Sequence, residues 1–279
     1  MNRNRISVVA GLLAVAAYAG GLEAQQGVQT YVRFEQAGEV RWGHLADETI
    51  HPLTDAPYLG GSMVPGEAIP LSAVTLKAPV DPANVYMTAF NFRSHITGEP
   101  APYPGIFIVP AGSIIGTGED IIRPPESTNF HYEAELVAVI GRDASNVSVE
   151  AAGDYVFGVT AGNDGSERDW QANDTQWVRA KGTRTFNAVG PVLVTGLDYQ
   201  SLDIEGRLNG EVRQGENSGD MLFGMDHMVS YISRYFPLKA GDLIWSGTMG
   251  TTQPMQPGDV YEVEIEGVGV LRNRLVQGQ

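Results

Sequence analysis

The sequence predicts a β-rich α+β fold, with a small N-terminal β region over residues 25–78 and a main domain over residues 79–279. Thirty-four glycines and 16 prolines among 279 residues imply frequent turns, which suit many short strands better than a helical bundle. Runs such as Val260-Tyr261-Glu262-Val263-Glu264-Ile265-Glu266 alternate apolar and polar side chains with the period of a half-buried strand, placing the glutamates on a solvated face. From Asn84 onward such strand patterns are interleaved with short helical ones.

The chain opens with Arg3 and Arg5, an apolar run from Ile6 to Ala16, and Ala17-Tyr18-Ala19 in an A-x-A arrangement. This predicts a signal peptide over residues 1–24, cut near 19 or 24, hence a periplasmic or secreted protein with no membrane attachment after cleavage. Thr30–Phe34 and Gly38–Gly43 read as strands, followed by loops at Gly60-Gly61 and Pro65-Gly66 and a linker over Ala78–Pro82. Tyr132–Ile140 reads as a strand ended by Gly141, and Ser166 reads as a helix N-cap with Asp169 three residues on. Asn209-Gly210 between two alternating runs signals a hairpin. Met221, Met225, Met228, Ile232 and Tyr235 fall on one face of a helix stopped by Pro237, and that methionine stripe reads as core.

Composition removes several classes of function. Eighteen basic residues against 33 acidic ones give a net charge of -15, which excludes a nucleic-acid backbone as partner. The absence of cysteine removes disulfides, thiolate metal sites, cysteine nucleophiles and thioether-linked lipid anchors, so any metal must be held by oxygen or imidazole. Lysine occurs three times, at Lys77, Lys181 and Lys239, which leaves few candidates for an active-site amine.

Residues two apart on a strand project to one face, so Glu133 and Glu135 point together out of a mostly apolar run. Two converging carboxylates repel and lose hydration unless a cation lies between them; the alternative is an edge strand facing water. Asp164, Arg168 and Gln171 have the spacing of a single helical stripe if helical geometry extends back to Asp164. Such a stripe offers a third carboxylate and two donors for an anion, or simply a solvated face with an internal ion pair.

The runs His131-Tyr132-Glu133-Ala134-Glu135-Leu136 and Asn163-Asp164-Gly165-Ser166-Glu167-Arg168-Asp169-Trp170-Gln171, with Lys181, Gly190-Pro191, Asn209-Gly210-Glu211, Ser246-Gly247-Thr248 and Glu266-Gly267-Val268-Gly269, resemble the catalytic domain of the fumarylacetoacetate hydrolase family across Asn84–Val276. The resemblance implies a mixed β-sandwich or β-roll with short helices, and a homodimer. It makes Glu133, Glu135 and Asp164 ligands of a divalent ion, Mg2+ with Mn2+ or Ca2+ as alternatives, in keeping with an all-oxygen set. It makes Lys181 a stabiliser of developing negative charge, Arg168 and Gln171 holders of the substrate, and Thr248 a contact of the substrate carboxylate. His95, in Asn91-Phe92-Arg93-Ser94-His95, resembles the family's water-activating base, with Glu99 as its orienting acid.

This chain departs from the pattern in three places. The acid follows the histidine by four residues, valine stands at Val109 where a lysine is common, and Met249 replaces a proline after Thr248. The reading that follows is a metal-dependent hydrolase cleaving a carbon–carbon bond in a β-diketo acid. The alternative is an isomerase, hydratase or decarboxylase acting on a 2-oxo acid, and a third possibility is a secreted, non-catalytic protein that binds an anionic metabolite or calcium.

Overall fold

The computed structural model describes residues 27–279; the predicted leader lies outside them. Strands β1 (Gln29–Gln36), β2 (Glu39–Ala46) and β3 (Thr49–Leu53) form an antiparallel meander, with β4 (Ile69–Pro70) paired to β3 and β5 (Thr75–Lys77) to β1. Its two tight turns, Ala37-Gly38 and Asp47-Glu48, take positive φ at both central residues, as a hairpin of right-twisted strands requires.

The main domain continues with β6 (Val85–Ala89), β7 (Gly105–Val109), β8 (Ile114–Ile115), β9 (Asp120–Arg123), β10 (Phe130–His131) and β11 (Ala134–Ile140). After α1 (Val149–Ala152) come β12 (Val156–Asp164), β13 (Ser166–Glu167), α2 (Arg168–Asn173), α3 (Val178–Gly182) and β14 (Asn187–Thr195). The chain ends with β15 (Asp203–Leu208), β16 (Glu211–Asn217), α4 (Met225–Tyr235), β17 (Leu243–Trp245), β18 (Val260–Ile265) and β19 (Gly269–Gln277).

Two large sheets result. One runs β4-β3-β2-β1-β14-β12-β11-β17-β6-β7, with β5 and β8 attached to β1 and β14; the other runs β16-β15-β18-β19-β9. The small N-terminal β region is present as expected and joins the main sheet, because β1 pairs antiparallel with β14 from Gln29↔Thr195 to Tyr31↔Leu193. The expected linker is packed as well, with Ala78 and Val80 buried.

All seven residues of β11 are buried, which explains its nearly unbroken apolar sequence: it has neighbours on both edges and protein on both faces. The second sheet packs against this layer, where Tyr132 and Tyr261 stack with ring centroids 4.3 Å apart. Strand β18 alternates as expected, burying Tyr261, Val263 and Ile265 while Glu262 pairs with Arg272 and Glu264 with Arg207. Asn209 and Gly210, both at positive φ, make the predicted hairpin between β15 and β16. The predicted helix begins at Met225, after Met221, and buries Met225, Met228, Val229 and Ile232, whereas Tyr235 is exposed.

Candidate active site

Antiparallel pairing of β11 and β12 sets Ala134 opposite Asn163 and Glu135 opposite Gly162, so the start of one strand meets the end of the other. Glu133 stands just before β11 and is fixed by its own amide, which donates to Asn163 Oδ1 (3.0 Å), and by its carbonyl, which accepts from the Asp164 amide (3.0 Å). Gly162 is needed where it stands: a Cβ there would fall 2.5 Å from the Trp245 ring. One oxygen from each of Glu133, Glu135 and Asp164 lies within 4.8 Å of the others, and all three side chains are buried. Lys181, on α3, reaches between them, its ammonium donating to Glu133 and to Asp164 Oδ2 (2.5 Å).

The expected helical stripe takes a different form. Asp164 ends β12 and only Arg168 and Gln171 share α2, because β13 intervenes. The N-cap is Glu167, which accepts from the Asp169 amide (3.2 Å), while Ser166 lies in β13 and its hydroxyl donates to the Asp164 carbonyl (3.0 Å). The stripe's members converge on the site all the same. Arg168 donates to Glu133 Oε1 (2.5 Å), Gln171 Oε1 (2.7 Å) and Thr252 Oγ1 (3.0 Å).

Burial works against every charge here, and neighbours decide the outcome. Burial raises the Glu133 carboxyl, but Lys181, Arg168 and His95 outweigh it and hold the group well below the ordinary range. Glu135 is pushed well up by burial and by the charges of Asp164 and Glu133. Asp164 is raised to about 7 by burial, with Lys181 opposing and Glu133 reinforcing the shift. Burial would lower the Lys181 ammonium, yet Asp164 and Glu133 keep it above its ordinary value.

The donor set fits a hard divalent cation. It consists of oxygens alone, and Asp164 Oδ1 is buried without a hydrogen-bond partner among the described residues. With all three carboxylates ionised, as ligation of a metal requires, they and the Lys181 and Arg168 cations sum to -1, which a divalent ion would turn to +1. A site of that sign suits an anionic ligand.

His95 sits in a short turn after β6, its Nδ1 2.7 Å from the Gly250 carbonyl and its Nε2 3.8 Å from Glu133 Oε1. A carbonyl can only accept, so Nδ1 carries a hydrogen and Nε2 is the ring nitrogen that faces the carboxylate centre. Glu99, expected to orient His95, is exposed and makes no hydrogen bond or ion pair with it; the backbone of Gly250 holds that place. Thr248 lines the cavity, but its hydroxyl donates to the Ala134 carbonyl (3.0 Å) and accepts from Gln214 Nε2 (2.8 Å). Its side chain therefore ties the loop to β11 and has no proton left for a substrate carboxylate.

A cavity of about 260 Å3 opens over this centre, with His95, Glu133, Arg168, Gln171, Lys181 and Thr248 at one end. Phe90, Phe107 and Trp177 line the other end, and the motifs in the sequence did not point to them. For Trp177 a signal existed: it precedes Lys181 by one helical turn and so shares its side of α3. Phe90 has φ +57°, a conformation that costs a bulky residue about 1–3 kcal/mol and is found where surroundings enforce it. Asn91 provides that enforcement, donating through Nδ2 to the carbonyls of Ser246 (2.8 Å) and Phe223 (3.0 Å) and accepting from the Phe223 amide (2.8 Å).

Residues 84–276 match the family described as fumarylacetoacetate (FAA) hydrolase C-terminal, and residues 30–79 match one described as Rv2993c-like, N-terminal. The chain is 36% identical over 224 residues to the mitochondrial oxaloacetate tautomerase FAHD2A of Bos taurus, covering 75% of this chain and 71% of that protein. Two solved structures superpose with a TM-score of 0.84 over 89% of this chain. They are a 5-carboxymethyl-2-hydroxymuconate delta-isomerase from Mycobacterium smegmatis (32% identity, all of that chain) and a 2-hydroxyhepta-2,4-diene-1,7-dioate isomerase from Mycobacterium marinum (34%, 98% of that chain).

Proposed function

This chain belongs to the fumarylacetoacetate hydrolase family, and we propose that it moves a proton at the carbon beside the keto group of a 2-oxo acid, a keto–enol or double-bond isomerisation. The setting of His95 carries this reading. A base that takes a proton from water for attack on a carbonyl gains from a carboxylate behind it, which stabilises the imidazolium. Here a neutral carbonyl stands behind the ring and Glu99 is elsewhere, so the carbon–carbon hydrolysis expected from the sequence loses its water-activating pair. An imidazole can take a C–H proton without that support when the neighbouring keto oxygen is drawn on by positive charge.

A divalent ion held by Glu133, Glu135 and Asp164 supplies, when bound, the positive charge that acidifies such a C–H. Arg168 commits three of its five N–H groups to Glu133, Gln171 and Thr252, leaving one on Nε and one on Nη1 to donate to a substrate oxygen. By holding Gln171 Oε1 it also leaves that amide's NH2 free to donate. The Lys181 ammonium stabilises the enolate oxygen as the C–H bond breaks. His95 Nε2 takes the carbon-bound proton and its imidazolium returns it to that oxygen, so that atoms and charge balance.

The test is deuterium exchange at C3, followed by NMR with Mg2+ present, for oxaloacetate, an acylpyruvate and a hydroxymuconate-type acid. Exchange without change of skeleton, faster than in the His95→Gln protein, is expected. Gain of one water with two carbon fragments would instead establish hydrolysis, and loss of carbon dioxide would establish decarboxylation.

A further inference from the structure

We propose that the acid accepted here carries an apolar planar or acyl tail, packed against Trp177 between Phe107 and Phe90, in place of a second carboxylate. The proposal rests on the 2-oxo acid reading and adds to it the chemistry of the substrate's far end.

The cavity is divided by polarity. Its basic groups, His95, Arg168 and Lys181, gather around Glu133. From there the wall is aromatic: the Phe107 ring centroid lies 5.7 Å from Lys181 Nζ, Trp177 lies 5.3 Å from Phe107, and Phe90 lies 5.9 Å from Trp177. The rings meet edge to face at 76° and 77°, an arrangement open to a further planar group. A second cavity of about 260 Å3 adjoins the first, and the two share Ala89, Phe90, Phe107 and Trp177. Its remaining lining is Gly105, Ile106, Thr175 and Gln176, with no ionisable side chain. A carboxylate placed there would lose hydration and meet no cation, whereas an apolar group would be removed from water. The unfavourable φ of Phe90, locked by the Asn91 hydrogen bonds, keeps that ring at the mouth where such a tail would pass.

Calorimetric titration and C3 exchange rates with Mg2+ present, comparing phenylpyruvate with oxaloacetate, test the proposal. Wild-type protein should bind phenylpyruvate tighter by about tenfold or more, and Trp177→Ala should remove most of that margin by weakening phenylpyruvate far more than oxaloacetate. Trp177→Phe should restore part of it, which separates loss of a ring from a folding defect; Phe90→Ser serves as an independent probe if Trp177→Ala does not fold. Tighter binding of oxaloacetate, or an equal loss of both acids in Trp177→Ala, would overturn the proposal. Binding ranked as expected without exchange at C3 would defeat the isomerase reading alone and leave the tail assignment standing.

Discussion

Asp164 turns one carboxylate oxygen to the Lys181 ammonium at 2.5 Å and leaves the other, Oδ1, buried with no partner among the described residues. The lysine therefore holds the aspartate in place without exhausting it. Asp164→Asn keeps the shape and removes the charge, so Mg2+ affinity measured by calorimetry should fall by about tenfold or more. The metal-free variant should also be more heat-stable than wild type at pH above about 8, because a buried anion has been removed.

The pH dependence of stability follows from the same group. Asp164, raised to about 7 from its ordinary value of 3.8, binds a proton in the folded state that the unfolded chain has released, and Glu135 does the same. Metal-free protein should thus lose stability as pH rises through about 7 and regain it as pH falls toward about 5. Glu133, held low, is ionised in both states across that window and does not oppose the trend. Melting temperatures across this range should decline without Mg2+ and flatten with it, and Mg2+ binding near pH 6 should release protons into buffers of differing ionisation enthalpy.

His95 and Glu99 should separate cleanly. His95→Gln should reduce kcat by roughly 10²- to 10⁴-fold while Mg2+ binding survives, the usual range for loss of a positioned base. Glu99→Gln should leave kcat within about twofold, since an exposed charge without a partner in the site contributes little. A collapse of turnover in Glu99→Gln would revive the water-activating pair and with it hydrolysis.

Gln214 is the buried joint between the second sheet and the site. Its Oε1 accepts from the Ala134 amide (2.9 Å) and the Tyr261 hydroxyl (2.6 Å), and its Nε2 donates to Thr248 Oγ1 (2.8 Å). Gln214→Leu fills the space but strands those partners, so denaturant melts should show a loss of about 2–5 kcal/mol. Activity per folded molecule should fall too, because the loop that Gln214 holds carries the Gly250 carbonyl behind His95.

How far the sequence foretold this centre depends on whether side chains or backbone do the work. Glu133 and Glu135 were legible as a converging pair because two-residue spacing survives even though Glu133 lies just outside the strand. Asp164 was legible as a partner but not as the end of a strand, since β12 runs on to it and the short β13 precedes α2. The Gly250 carbonyl could not be foreseen, because a backbone atom leaves no mark in residue identity. Phe90, Phe107 and Trp177 are ordinary apolar letters until the topology brings β6, β7 and α3 to one wall. The hairpin at Asn209-Gly210, by contrast, was readable because local backbone sterics alone determine it.

The pairing of β1 with β14 joins segments more than 150 residues apart. During synthesis the N-terminal strands must wait for most of the chain to emerge before that edge can close, a non-local contact of the kind that slows folding. A fragment starting at residue 79 would leave Leu193–Thr195 of β14 without β1, exposing the unpaired amides and carbonyls of that edge in a strand whose first eight residues are buried in the intact protein. Expression of that fragment should yield self-associating material, and supplying residues 25–78 as a separate chain should suppress it.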